Sequence, residues 1–599
     1  MASTCTVRMD HSITRGAPPP SAAATVRLIL GDMTLQTTRR QRPPISLTLG
    51  VVAVLAIGAC SLPAKFSKPH GPESDPVTAA LRDKVKTVVV IYAENRAFDN
   101  LYGNFPGARG LADVIDAAGH PLPAYVPQVD RNGSVLPNLP QTWGGVTASG
   151  YKPVVTQAQS AGLPNAPFAI EHAFTARSKV TLSTSAVTRD LVHRFFENQM
   201  QIDNGLNDGF AAWSDAGGLS LAYFDTSRSA LYALARQYVL ADHFFQGAFG
   251  GSFLNHQYLI CACAPEYPNA DTAPAKPSVT VLETGATGHP RLKLAKDSPV
   301  SALDGPPKYA KSGNIAPADY FGDGKFYAIN TMQPPYQPSG NAPARADTAG
   351  SGADPSSATT LPPQSGPTIG DRLTAKNIAW AWYSGAWTSA LVDGRQPAAK
   401  KRKVIYAPDT PAGSPDFQPH HQPFNYYARF DPQSHADERA LHLKDYDDLV
   451  VDAAAGRLPQ VAFYKPQGNL NQHPGYATIA EGDAHIADLI AKLQASPQWI
   501  NMVIIVTYDE FGGAWDHVSP PKGDLLGPGT RIPALVISPL AKMGTVDHTQ
   551  YDTASILRLI TRRFDLEPLP GIVQRDRGLG EHAEHPMGDL TNALDLAKH

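Results

Sequence analysis

The chain has 599 residues, 42% of them hydrophobic and 18% charged, with a formal net charge of −3. That is the composition of a folded protein with a sizeable core, and the near-neutral balance offers nucleic acid no basic face, so none is expected as a partner. Proline (54) and glycine (49) are abundant and cluster between apolar runs, which predicts one core carrying long ordered loops.

Residues 1–32 show no periodic pattern. After Met33, an alternative start, Arg39, Arg40 and Arg42 form a positive segment, and Ile45 to Ala59 is an apolar stretch too short to span a bilayer comfortably. It ends in Ile57-Gly58-Ala59-Cys60, which resembles a bacterial lipobox. Residues 1–60 are therefore read as a leader. The expected membrane association is a lipid anchor at Cys60, on an exported protein that is periplasmic or anchored to the outer membrane. An uncleaved anchor is the alternative. Pro63, Pro69 and Gly71-Pro72 mark 61–80 as a tether. The main domain is expected over 81–570, with 571–599 as a C-terminal tail.

Thr87 to Tyr92 is a β-branched apolar run with no polar interruption, the pattern of a strand buried on both faces. It stops at Glu94-Asn95-Arg96-Ala97-Phe98-Asp99. Helical character is expected from Arg189 to Phe210, with Leu191, Phe195, Phe196 and Met200 as its apolar stripe and His193 as its candidate functional residue. Tyr238 to Phe245 reads as a short strand. Gly250-Gly251 then make a tight turn, and Ser252 stands where a helix begins. A serine there serves either as a plain N-cap or as a nucleophile beside free backbone N–H groups.

Of the four cysteines, Cys5 and Cys60 fall in the leader. Cys261 and Cys263 would close only a small, strained ring, so they are expected as buried thiols on a helix. Pro265 to Ala316 and Pro334 to Gln364 are insertions rich in small residues and proline, with a strand expected between them at Lys325 to Ile329. Further strands are expected at Ile378 to Tyr383, Val461 to Tyr464 and Ile532 to Ser538. His420-His421 lie between prolines, where both either point into a cleft or sit in solvent. Asp483 is the expected N-cap of a following helix, and Asp552 to Phe564 is an amphipathic helix.

Met502 to Val506 repeats the buried-strand pattern and runs into Asp509-Glu510 and then Gly512-Gly513. Two strands of one sheet ending in Glu-Asn and Asp-Glu bring hard oxygen donors to one point, where a divalent cation relieves the repulsion between acids.

These pieces, with Gly250 to His256, His420 to Phe424, Asn471-Gln472-His473-Pro474-Gly475 and Thr507 to His517, resemble the bacterial acid phosphatase and phospholipase C superfamily of phosphoesterases. Ala97 stands where that family usually has serine. The resemblance covers roughly residues 85 to 570 and implies an α/β, alkaline-phosphatase-like fold: a mostly parallel central sheet flanked by helices, with long loop insertions. It also implies one divalent metal ion, Ca²⁺ or Mg²⁺ favoured by the all-oxygen donors, held by Glu94, Asn95, Ser252, Asp509 and Glu510. Ser252 would be the nucleophile, with His193, His420, His421 and His473 around the phosphoryl group of a small phosphorylated substrate. Phospholipase C relatives usually continue into C-terminal β-rich modules, whereas this chain runs 35 residues past Phe564, so the expected branch is acid phosphatase. Phospholipase C and an inactive ligand-binding lipoprotein are the alternatives.

Overall fold

Eight strands make the central sheet of the computed structural model. In chain order they are β1 (Thr87–Ala93), β2 (Val239–Ala241), β3 (Trp380–Ser384), β4 (Leu443–Asp445), β5 (Val461–Lys465), β6 (Met502–Tyr508), β7 (Ala534–Ile537) and β8 (Thr545–Asp547). Across the sheet they lie in the order β8-β2-β7-β6-β1-β5-β3-β4. All run the same way except β7, which is antiparallel to both β6 and β2. The structure describes residues 75–285, 288–407 and 416–597, which belong to one compact unit, Pro72–His599. The leader, the lipobox at Cys60 and most of the tether lie outside the described residues, and no described helix is long and apolar enough to cross a membrane.

β1 and β6 are the centre of the sheet, paired in register from Thr87 opposite Met502 to Ala93 opposite Tyr508. Every residue of both strands is buried. Burial contributes roughly 1.5–3 kcal/mol for each large aliphatic side chain, and neither strand carries a charged residue until the chain leaves the sheet. Glu94 follows β1 and Asp509 follows β6, both at the carboxyl edge, where ligands of such sheets bind.

The flanking helices include α1 (Phe195–Ile202), α2 (Ala230–Gln237), α3 (Ser252–Cys261), α4 (Ile479–Gln494), α5 (Thr553–Phe564) and α6 (Pro570–Glu581). α5 begins as expected, with Asp552 as its N-cap in a capping box.

Several local expectations are corrected. The helix expected over Arg189 to Phe210 is confined to α1, which leaves His193 on the extended segment before it. α1 stops because Asp203 and Asn204 take left-handed backbone, with φ of 40° and 56°. Lys325 to Ile329 makes only isolated bridges, Tyr327 with Glu266 and Ala328 with Ile315. Asp483 does not cap its own helix, a task that falls to Thr478. Its carboxylate instead accepts from the backbone N–H groups of Ala230 and Leu231 at 2.8 and 3.0 Å, satisfying the first turn of α2. Cys261 and Cys263 are bonded to each other. α3 ends between them, and left-handed Ala262 (φ 51°) turns the second sulfur back toward the first. Within 571–597, α6 carries Arg575, which is fully buried and lies 2.5 Å from Asp552.

Candidate active site

Ser252 is the first residue of α3, with Gly251 as N-cap. Gly250 has φ 84°, and a Cβ there would meet the Phe195 backbone nitrogen at 2.4 Å, so the turn that aims Ser252 at the sheet edge requires glycine. The seryl Oγ lies 3.2 Å from Glu94 Oε2, 3.2 Å from Asn95 Oδ1 and 3.5 Å from Glu510 Oε1. Four sequence-selected residues thus meet within hydrogen-bond reach, and Asp509 adjoins them. Its Oδ1 accepts from the backbone N–H of Asn95 (2.9 Å) and of Glu510 (2.8 Å). Asn95 holds φ 57°, a conformation a non-glycine residue keeps only where its surroundings dictate it. Gly512 closes the loop from the other side: its N–H donates to Glu510 Oε2 at 2.6 Å, and a Cβ on it would strike the Asn95 carbonyl oxygen at 2.3 Å.

Glu94, Asp509 and Glu510 have no solvent exposure at all. Burial raises Asp509 and Glu510 above the usual carboxylate range, and repulsion from neighbouring acids adds to it. Burial also works against Glu94, but Lys465 and His421 outweigh it and hold that carboxyl ionised. Lys465 Nζ lies 2.5 Å and His421 Nε2 2.7 Å from Glu94 Oε1, so that oxygen is engaged and Oε2 is left facing Ser252. Asp509 Oδ2 is buried with no hydrogen-bond partner among the described residues. Three carboxylates, an amide oxygen and a hydroxyl around an unpartnered carboxylate oxygen fit a hard divalent cation. Glu94 and Asp509 also stand among the side-chain groups spaced to hold a metal, with His256, and Glu94 with His420 and His421.

The site opens to a cavity of about 430 Å³, with Ser252, His193, His420 and His473 in its walls. His473 Nε2 is 2.9 Å from Asn95 Nδ2, and His193 Nε2 is 3.7 Å from Glu510 Oε1. Burial disfavours the charged His193, yet Glu510 and Asp190 outweigh it and lift the imidazole to about 9. Burial dominates at His420 and His421: the first is pushed well below its ordinary value, the second down to about 4. His421 is not in the cavity wall; it stands behind Glu94, where it orients the carboxylate.

Neither Lys465 nor His256 was assigned a role from the sequence. Lys465 ends the apolar run Val461 to Tyr464 just as acids end β1 and β6, and that shared pattern was the available signal. His256 lies one turn after Ser252 on α3, and its Nδ1–H donates to the Ser252 carbonyl oxygen at 2.7 Å.

The phosphoesterase family model matches residues 85–567. The chain belongs to the phosphoesterase family. This phosphoesterase is 32% identical over 176 residues to phospholipase C B of Mycobacterium tuberculosis, covering 25% of this chain and 32% of that protein. It is 28% identical over 206 residues to the non-hemolytic phospholipase C of Pseudomonas aeruginosa, covering 29% of each. The chain thus matches about a third of the length of these curated relatives. Among solved structures, a phosphonate monoester hydrolase from Silicibacter pomeroyi overlaps 60% of this chain and 72% of its own, at 12% identity and a TM-score of 0.25. An overlap that loose adds nothing to the family assignment.

Proposed function

We propose that this phosphoesterase is an acid phosphatase that hydrolyses small phosphomonoesters through a phosphoryl group carried on Ser252. The supporting observation is the position of Ser252 Oγ: at a helix N-terminus, in the wall of a cavity, 3.2–3.5 Å from Glu94, Asn95 and Glu510. A divalent cation held by Glu94, Asn95, Ser252, Asp509 and Glu510 would supply positive charge that favours the ionised seryl hydroxyl and offsets charge building on the phosphoryl oxygens; calcium or magnesium suits these donors. The chain's own groups do the rest. Free N–H groups in the first turn of α3 favour an anion beside Ser252. Lys465 and His421 keep Glu94 oriented, and Gly512 fixes Glu510. His193, His420 and His473 surround the space the phosphoryl group would take, within reach to hold its oxygens or pass a proton to the leaving oxygen.

The cavity wall is polar, with Arg194, Asn314, Asn330, Thr331 and Gln418 among its residues. Such a wall suits a soluble leaving group better than acyl chains. One observation favours a second reading, phospholipase C: that activity is the one named for the mycobacterial and Pseudomonas relatives. An inactive ligand-binding protein is disfavoured by the complete set Glu94, Ser252, Asp509 and Glu510. Export, with a lipid anchor at Cys60, is supported by the leader pattern and by the Cys261–Cys263 bond, since disulfides persist in oxidising compartments.

The test compares kcat/KM for p-nitrophenyl phosphate and a short-chain phosphatidylcholine, each with and without chelator, from about pH 5 to 8. Chelator-sensitive turnover of the monoester, faster on the acid side, is expected. A clear preference for the lipid would move the protein to the phospholipase C reading, and hydrolysis unaffected by chelator would refute the metal.

A further inference from the structure

A second group of ligating side chains stands at the carboxyl edge of the sheet and shares no residue with the site around Ser252. β2 and β8 pair in parallel with Ala241 opposite Asp547, so the residues that leave the two strands emerge side by side. Asp242 and His243 leave β2; His548 leaves β8. The Asp242 carboxylate is wholly buried, and an imidazole meets each of its oxygens. His243 Nδ1 is 2.8 Å from Oδ1, and His548 Nδ1 is 2.8 Å from Oδ2. The two rings stand edge to face, centroids 6.4 Å apart, and one ligand atom from each of the three residues lies within 4.8 Å of the other two.

Hydrogen bonding alone explains this group poorly. Oδ2 already accepts from the Arg109 backbone N–H at 2.8 Å, so the carboxylate has a partner on each oxygen without His548. That side chain is 58% exposed, and fixing a half-exposed ring for one further hydrogen bond sacrifices side-chain freedom for little. A ligand that uses both imidazoles removes the redundancy.

We propose that Asp242, His243 and His548 form a second metal site, for Zn²⁺ or a cation of similar borderline character. Two imidazole nitrogens and one carboxylate suit zinc and leave a fourth position to water, in contrast to the oxygen donors around Ser252. The carboxylate is already set. Arg109 N–H holds one of its oxygens, and Arg531 Nη1 donates to the Asp242 main-chain carbonyl at 2.8 Å, the kind of outer support that orients ligands. Binding through Nδ1 requires each neutral imidazole to carry its proton on Nε2, and any second ring proton goes to solvent. The exposed side of His548 gives the ion its approach. Once bound, the ion ties β8, an edge strand of three residues, to β2.

The test uses the full chain, freed of metal by chelation and then equilibrated with Zn²⁺ alone. Bound zinc per chain is measured by elemental analysis and heat of binding, and thermal unfolding is followed with and without zinc. His548→Ala and His243→Ala should each bind one zinc fewer than the wild type, lose the zinc-dependent rise in Tm that comes from this site, and keep full hydrolytic activity. Asp509→Asn should retain that zinc, because it disables only the site around Ser252. His548 is half exposed, so His548→Ala is expected to fold, and a circular dichroism spectrum matching the wild type establishes it. Equal zinc content and equal thermal response in His548→Ala and wild type would overturn the proposal.

Discussion

Replacing Lys465 with methionine isolates the charge balance under the site, because methionine keeps the apolar stem and removes only the ammonium. Lys465 and Glu94 are both wholly buried, 2.5 Å apart. At an effective dielectric of about 20, unit charges at that separation attract by roughly 6–7 kcal/mol. Desolvation of the two ions cancels much of this, and deletion of one member of such a pair costs about 3–5 kcal/mol because the other charge stays behind. A bound divalent cation neutralises part of the same charge, so the penalty should shrink when the metal is present. Urea unfolding of wild type and Lys465→Met in chelator should therefore differ by about 3–5 kcal/mol, and by clearly less in saturating calcium. By linkage, calcium should then bind the variant more tightly than it binds the wild type. A penalty that is equal in both conditions, or one below about 1 kcal/mol as for a surface pair, would refute this account of Lys465.

Ser252→Ala should lower kcat more than about tenfold while leaving the unfolding midpoint near wild type; a smaller loss would rule out covalent catalysis by this hydroxyl. Glu510→Gln should reduce bound metal and turnover together, so elemental analysis that finds full occupancy would remove Glu510 from the ligand set. His517 offers a pH test. Burial opposes its charged form, but Asp99, 2.6 Å away, raises the imidazole above its ordinary value of 6.5. A raised folded-state value stabilises fully below pH 6.5 and less as pH climbs through the folded value. Wild-type stability should therefore decline as pH rises above 6.5 more steeply than that of His517→Gln, and parallel profiles would show that His517 is not the group responsible.

The strands and the acids were legible because they are local. Val88 to Ile91 and Val503 to Val506 are uninterrupted apolar runs that only a doubly covered sheet can bury, and Glu94 and Asp509 stand at their ends because there the backbone leaves the core. Glycine pairs beside Ser252 and Glu510 showed equally plainly, since tight approaches admit no side chain. Two of the errors have a common cause in partners far along the chain. Asp483 looked like a cap for its own helix and serves α2 instead. Lys325 to Ile329 has strand composition but finds no neighbouring ladder. The Cys261–Cys263 bond depends on where α3 happens to end.

Sequence by itself determined which residues are buried and which polar groups sit at strand ends, because those follow from hydrophobic transfer and backbone sterics over a few residues. Tertiary structure alone decided how those ends face one another. The order β6-β1-β5 puts Asp509, Glu94 and Lys465 at the ends of adjacent strands, and so makes Lys465 the buried counter-charge of Glu94. The same pairing principle, acting between β2 and β8, brings His548 to Asp242. Neither pairing is written within a single stretch of chain, because the energy of a buried charge depends on distance in space.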